Sequence, residues 1–228
     1  MKHIDEKLLE TDLVYRFGYV AEHIGFTEDD RKAILAVSSF LAPLAKPITD
    51  AVYSKLFQFD TTKKYFVVRH DGFSGKLADS LEELKVDDEI IRFRKNMLAK
   101  YVGKIINFEI NKEFVMYIDW VGKIHTDTPD KKSKINVDYI HCNALLGYVN
   151  AALMEIINSA GPDSGLTEEQ KFKACLAFTK LLWIQNDSFS RYYIDKAQPP
   201  AYKKLLTMAG GVLLASVAIK SVSLFFRK

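Results

Sequence analysis

Apolar residues return every three or four positions along most of the chain, the period of helices that turn one face inward. The first run, LLETDLVYRFGYVAEHI (8–24), predicts one helix, ended by GFT. Thr27 followed by Glu-Asp-Asp is a start signal: a capping hydroxyl, then acids against the positive end of the helix dipole. That helix is expected to continue through RKAILAVSSFLAPL, with Pro43 near its end and Pro47 in the first turn of the next, ITDAVYSKLFQF. Asp60 caps a short turn, TTKKYF, and VVRHDGFSGK (67–76) reads as a glycine-containing loop. A long helix starting near Asp87 carries EIIRFRKNMLAKYVGKIIN, and KEFVMYIDWVGKIHT follows after a short break. DTPDKKSK (127–134) is polar, contains proline and predicts a loop. INVDYIHCNALLGYVNAALMEIINS predicts a long, largely buried helix, which SAGPDSGLT then interrupts. Thr167 with Gln170 fits a capping box ahead of EEQKFKACLAFTKLLWIQNDSFSRYYI. The stripes Leu145, Val149, Ala152, Ile156 and Leu176, Phe178, Leu182, Phe189 are expected in the core. No run alternates with period two between turn signals, so the expectation is all-α, with about seven or eight helices in one domain.

Composition changes little in this picture. The chain has 228 residues, is 48% hydrophobic, and carries a net charge of +3 with no basic arm, which argues against a nucleic-acid partner. Cys142 and Cys175 form no CxxC and read as two reduced, buried thiols. MKHIDEKLLE has no apolar core, so no secretory leader is expected. The far end differs. Leu205–Phe226 is apolar apart from Lys220, is flanked by basic residues, and has the length of a bilayer-spanning helix. It is expected to be a membrane anchor after a linker at 197–204, leaving residues 1–196 as a cytoplasmic-type globular domain. A helix packed on the domain or on a twin subunit is the other reading of that tail.

The chemistry is sparse. There is no P-loop, no GxGxxG after a strand, no HExxH and no GxSxG. His3, His23, His70, His125 and His141 include no close pair on one helix face, so neither a hydrolase nor a zinc enzyme is supported. His125 alone has a distinctive setting. Phe114, Ile118, Val121 and His125 fall at i, i+4, i+7 and i+11, an apolar stripe that ends in an imidazole just before the chain breaks into the 127–134 loop. Two readings stand at this point: a packed core histidine, or the axial ligand of a haem, the natural chemistry for one protein histidine facing apolar surroundings. In the second reading the Val121 carbonyl, one turn back, would take the other ring nitrogen.

Helix number and order place the globin class among the few candidates. Four segments carry a closer resemblance: FGYVAEHIGFTEDDRKAI, DAVYSKLFQFDTTKKYF, FVMYIDWVGKIHT, and the pair VDYIHCNALLGYVNAAL and AFTKLLWIQNDSFSRYY. In this order they resemble the protoglobin and globin-coupled-sensor branch of the globins, over roughly residues 10–196. The resemblance implies a globin fold with an extra N-terminal helix, a haem b cofactor, and His125 as proximal ligand to the iron. It puts Tyr53 at the distal position, where its hydroxyl would donate a hydrogen bond to a gas ligand, O2, CO or NO. Val52 departs from the family, which often has tryptophan just before that tyrosine. Leu98 is implied as a distal lid, on a face shared with Arg94, Tyr101 and Ile105. Phe57, Phe66, Met97 and Val121 would line the ring edge. Arg69, Arg92 and Arg94 are the candidates for the haem propionates, with no choice among them. His141 is the rival ligand, read as a packed or interface residue, and His70 as a loop residue near the distal face. The last two globin helices imply a homodimer in which Trp183 could anchor the contact.

The resulting expectation is reversible gas binding or sensing. Two other functions stay open: a haem enzyme turning over NO, nitrite or peroxide with Tyr53 as donor, and a membrane-tethered helical interaction module without haem.

Overall fold

A computed structural model describes residues 1–128 and 135–197. The linker at 197–204 beyond Ala197, the apolar segment 205–226 and most of the 127–134 loop lie outside the described residues. The helices are α1 (Glu6–Thr11), α2 (Leu13–Ile24), α3 (Glu28–Ala36), α4 (Ser38–Leu41), α5 (Ala45–Leu56), α6 (Asp60–Lys63), α7 (Glu89–Ile105), α8 (Lys112–Ile124), α9 (Tyr139–Asn158) and α10 (Glu168–Ala197), with short 3-10 turns at Ala42–Leu44, Lys64–Phe66 and Pro162–Ser164. Among the described residues there is no strand. Met1–Ser190 forms one compact unit, and of the residues after it 191–197 are helical.

The predicted starts appear where their chemistry puts them. The Thr27 N–H donates to Asp30 Oδ2 at 2.8 Å, an acid reaching back from the first turn of α3. At α10 the box is reciprocal: Thr167 N–H to Gln170 Oε1 at 2.9 Å, Gln170 N–H to Thr167 Oγ1 at 3.2 Å. Asn111 caps α8 by accepting from the Phe114 N–H at 2.9 Å. Pro47 sits in the first turn of α5, where its missing N–H costs no helical bond.

Two predicted helices are divided. The 8–24 run breaks at Asp12, which adopts an extended backbone and accepts from the Val14 and Tyr15 N–H groups at 2.9 and 3.0 Å. A short acid inside a helical pattern prefers to cap, so α1 stops and α2 starts at the same residue. The run after Thr27 breaks at Val37, whose N–H closes a tight turn on the Ile34 carbonyl. There the chain bends by 47° between α3 and the Ser38–Leu56 segment.

Two buried clusters result. One joins α3, α4, α8, α9 and α10 through Ile34, Leu41, Ile118, Ile157, Phe178 and Leu181. Side chains of this size each contribute about 1.5–3 kcal/mol on burial. The other, smaller, gathers Val52, Tyr53, Phe66, Phe73, Leu84, Ile90 and Ile91 around α5 and the start of α7. The N-terminal elements are pinned to α10 by Arg16 on Asp187, two bonds of 2.6 Å, and by Lys180 on Asp30 and the Gly25 carbonyl. Two core expectations are corrected. α9 is not largely buried: Cys142, Leu153 and Ile157 are its buried residues, and Leu145, Val149, Ala152 and Ile156 are half-buried, because one side of the helix faces away from the core. Leu176 is 46% exposed, because its place on α10 faces away from both clusters, while Phe178, Leu182 and Phe189 are buried.

Candidate functional site

Between the two clusters lies a cavity of about 280 Å³, bordered by residues of α5, α7, α8, α9 and α10. Its walls are aliphatic and aromatic apart from a few groups, among them Tyr53, Arg94, His125 and His141. That size stands near the lower end of the roughly 300–1,000 Å³ typical of small-molecule pockets.

His125 is placed by α8, at whose C-terminus it caps the last turn. Four constraints fix its ring and backbone. Its N–H donates to the Gly122 carbonyl at 3.3 Å, and its own carbonyl accepts from the Val137 N–H at 2.8 Å, tying the chain after the 127–134 loop back to this residue. Nδ1 lies 2.7 Å from the Val121 carbonyl oxygen. A carbonyl only accepts, so Nδ1 carries the proton and Nε2 carries the lone pair a metal would use. Phe189 of α10 meets the ring edge-on, centroids 5.0 Å apart. The close seat of α8 on α10 depends on Gly122: a Cβ there would fall 2.4 Å from the Ser188 carbonyl oxygen.

Tyr53, on α5, is 6% exposed and packs against Phe66 at 5.5 Å between centroids. Burial raises its phenol above the usual value, so it stays protonated and a donor. Its hydroxyl has no hydrogen-bond partner among the described residues. Arg94, on α7, is 9% exposed. Its Nη2 donates to the carbonyls of Tyr65 at 3.1 Å and Val68 at 3.0 Å, while Nε has no partner among the described residues. Burial lowers the guanidinium to about 10, which still leaves it charged at neutral pH.

Met97, Leu98, Tyr101 and Val121 also border the cavity. Phe57 does not. It follows the last residue of α5 and stacks behind Phe66, centroids 5.7 Å apart, backing the wall without forming it. Of the three arginines, Arg94 alone borders the cavity: Arg69 is bound to the Phe73 and Gly75 carbonyls, and Arg92 is exposed. His141 borders it as well, with its Nε2 4.0 Å from an Asp138 carboxylate oxygen, and so does His70, whose Nδ1 is 2.6 Å from the Asp71 carbonyl.

Sequence reasoning passed over Tyr65 and Gln185. Tyr65 borders the cavity, and its hydroxyl exchanges bonds with Asp138, donating to the carboxylate at 2.9 Å and accepting from the N–H at 3.2 Å. Gln185, 1% exposed, donates to the Ile118 carbonyl and accepts from the Tyr101 hydroxyl, both at 3.0 Å, so α10 bridges α8 and α7 behind the cavity. One amide in an apolar stretch, LLWIQ, was the available signal for Gln185. Tyr65 had none, because its partner is 73 residues away.

The helix order, with an extra N-terminal segment, and an apolar cavity bordered by the fixed imidazole of His125 define an all-α protein of globin fold. The protoglobin family model matches residues 13–198, and the chain belongs to the protoglobin family. Comparison with curated proteins gives no match. Membership implies a haem cofactor, and the cavity fits one. Its walls are mainly apolar, an imidazole with a fixed tautomer borders it, and the buried Arg94 Nε has no acceptor among the described residues.

Proposed function

We propose that the protein reversibly binds a diatomic gas at a haem b held by His125. The observation that carries this reading is the shared cavity of His125, its Nδ1 engaged by the Val121 carbonyl, and Tyr53, a buried phenol. When bound, the haem supplies an iron able to coordinate O2, CO or NO reversibly. His125 would give Nε2 to that iron, and the Val121 carbonyl would keep the ring from turning and raise its basicity. Phe66, Leu98 and Leu145 would exclude water from the ring faces. Non-covalent haem is favoured because the chain contains no Cys-x-x-Cys-His for thioether attachment.

Tyr53 would hold a polar gas ligand by donating its hydroxyl hydrogen. In a site of low dielectric such a bond is strong. Tyr53→Phe should therefore speed O2 dissociation about tenfold or more while changing CO dissociation little, as measured by stopped-flow displacement. An unchanged O2 rate would remove Tyr53 from the site.

Dimerisation through α9 and α10 belongs to the same proposal. α9 exposes Ile140 and Met154, and α10 exposes Phe172, Leu176 and Trp183, at 63%, 46% and 61%. On α9, Ile140, Ala144, Gly147, Ala151 and Met154 share one exposed face at helical spacing. That accounts for a helix apolar nearly all round: one side joins the core, and the other suits a second copy. Trp183→Arg should give a monomer by sedimentation velocity with its Soret band intact. A Trp183→Arg protein of unchanged mass in solution would contradict this interface.

A further inference from the structure

We propose that Arg94 and Tyr53 form a subsite for a small monoanion, of the azide and nitrite class, inside the cavity. The inference rests on the haem reading above. Two donors converge on one wall. The guanidinium carbon of Arg94 stands 5.0 Å from the Phe66 ring centroid, and the Tyr53 ring stands 5.5 Å from it, so both flank one aromatic side chain that itself borders the cavity. Arg94 Nε is buried without an acceptor among the described residues, and the Tyr53 phenol borders the same cavity. Nor does any described carboxylate come within ion-pairing distance of Arg94, whose two hydrogen bonds among the described residues go to neutral carbonyls.

A buried cation without a counter-charge is strongly disfavoured, and deprotonation does not relieve it here, since the group stays charged at neutral pH. The complementary ligand accepts hydrogen bonds, donates none and carries one negative charge. A neutral diatomic satisfies the phenol and leaves the guanidinium uncompensated. A linear or bent triatomic anion can accept from both. A carboxylate of the prosthetic group itself has the same chemistry, so the experiment must separate the two sources.

The test is an azide titration of the oxidised, haem-loaded full chain, followed by the shift of the Soret band, with CO affinity of the reduced protein as the neutral control. Arg94→Met should weaken azide about tenfold or more and leave CO within about threefold. Arg94→Gln, which keeps a donor without charge, answers the same question if the methionine variant does not fold. Arg94→Lys should fall between wild type and Arg94→Met. Unchanged azide affinity with faster haem transfer to an apoprotein acceptor would make Arg94 a propionate anchor and overturn the inference. So would equal weakening of azide and CO, which would mean general damage to the pocket. A wild-type protein without a Soret band fails the haem reading and this inference with it; a normal Soret band with charge-independent azide binding fails this inference alone.

Discussion

His125→Ala should yield protein that folds yet purifies without a Soret band, whereas His141→Ala should remain red. Both imidazoles border the cavity, so position alone does not separate them. Their surroundings do. His125 has its proton fixed on Nδ1 by a carbonyl 2.7 Å away, its ring packed edge-on against Phe189, and its backbone tied at both N–H and carbonyl. His141 sits in the first turn of α9 beside Asp138, at 4.0 Å, and against the edge of Tyr65. A ligand held in one tautomer and one orientation loses little freedom on binding metal. Changing groups that merely orient a ligand typically costs 10–100-fold in metal affinity, so deleting the ligand should cost about hundredfold or more. Free imidazole should restore the band in His125→Gly, because the side-chain cavity it leaves matches that ring. Retention of a normal Soret band by His125→Ala would end the proposed role of this residue.

How much of this could be read from the chain depended on whether the cause was local. The caps at Thr27 and Thr167 join residues three apart, and their bonds formed as the pattern implied. The stripe ending at His125 was legible because α8 buries Phe114 and Ile118 on the face that carries the imidazole to the cavity. The kink at Val37 was hidden by the apolar period: Ser38 and Ser39 follow it directly, a pair at which helices bend, and the chain turns there by 47°. Asp12 could have been read as a cap, had one acid among many been given more weight than the apolar period. The anion-facing character of Arg94 was hidden for a different reason. It depends on which carboxylates are missing around it in space, and sequence spacing carries no such information.

The second large effect is expected at a residue with no side chain. Gly122→Ala should destabilise the protein and weaken haem retention together. The new methyl would meet the Ser188 carbonyl oxygen at 2.4 Å, the Ser188 carbonyl carbon at 2.9 Å and the Phe189 nitrogen at 3.2 Å. All three are backbone atoms of α10, which cannot rotate away as a flexible side chain would. Overpacking of this kind costs about 1–3 kcal/mol, and contact with backbone puts this case toward the upper figure. The roughly 1 kcal/mol that alanine gains over glycine within a helix offsets only part of it. A net loss near 2 kcal/mol corresponds to a fall in Tm of about 4–8 °C for a chain of this size. Relief of the clash must move α8 off α10. That separates His125 from Phe189 and strains the Gln185 bridge to the Ile118 carbonyl, so the imidazole loses its fixed position as the helices part. Gly103→Ala on α7 is the matched control, since a Cβ there has no neighbour within 4 Å. It should hold or raise Tm and leave haem affinity alone. If calorimetry and haem-transfer rates showed Gly122→Ala behaving like Gly103→Ala, then α8 would not need to lie this close to α10, and the positioning of His125 would have to come from the Val121 and Val137 bonds alone.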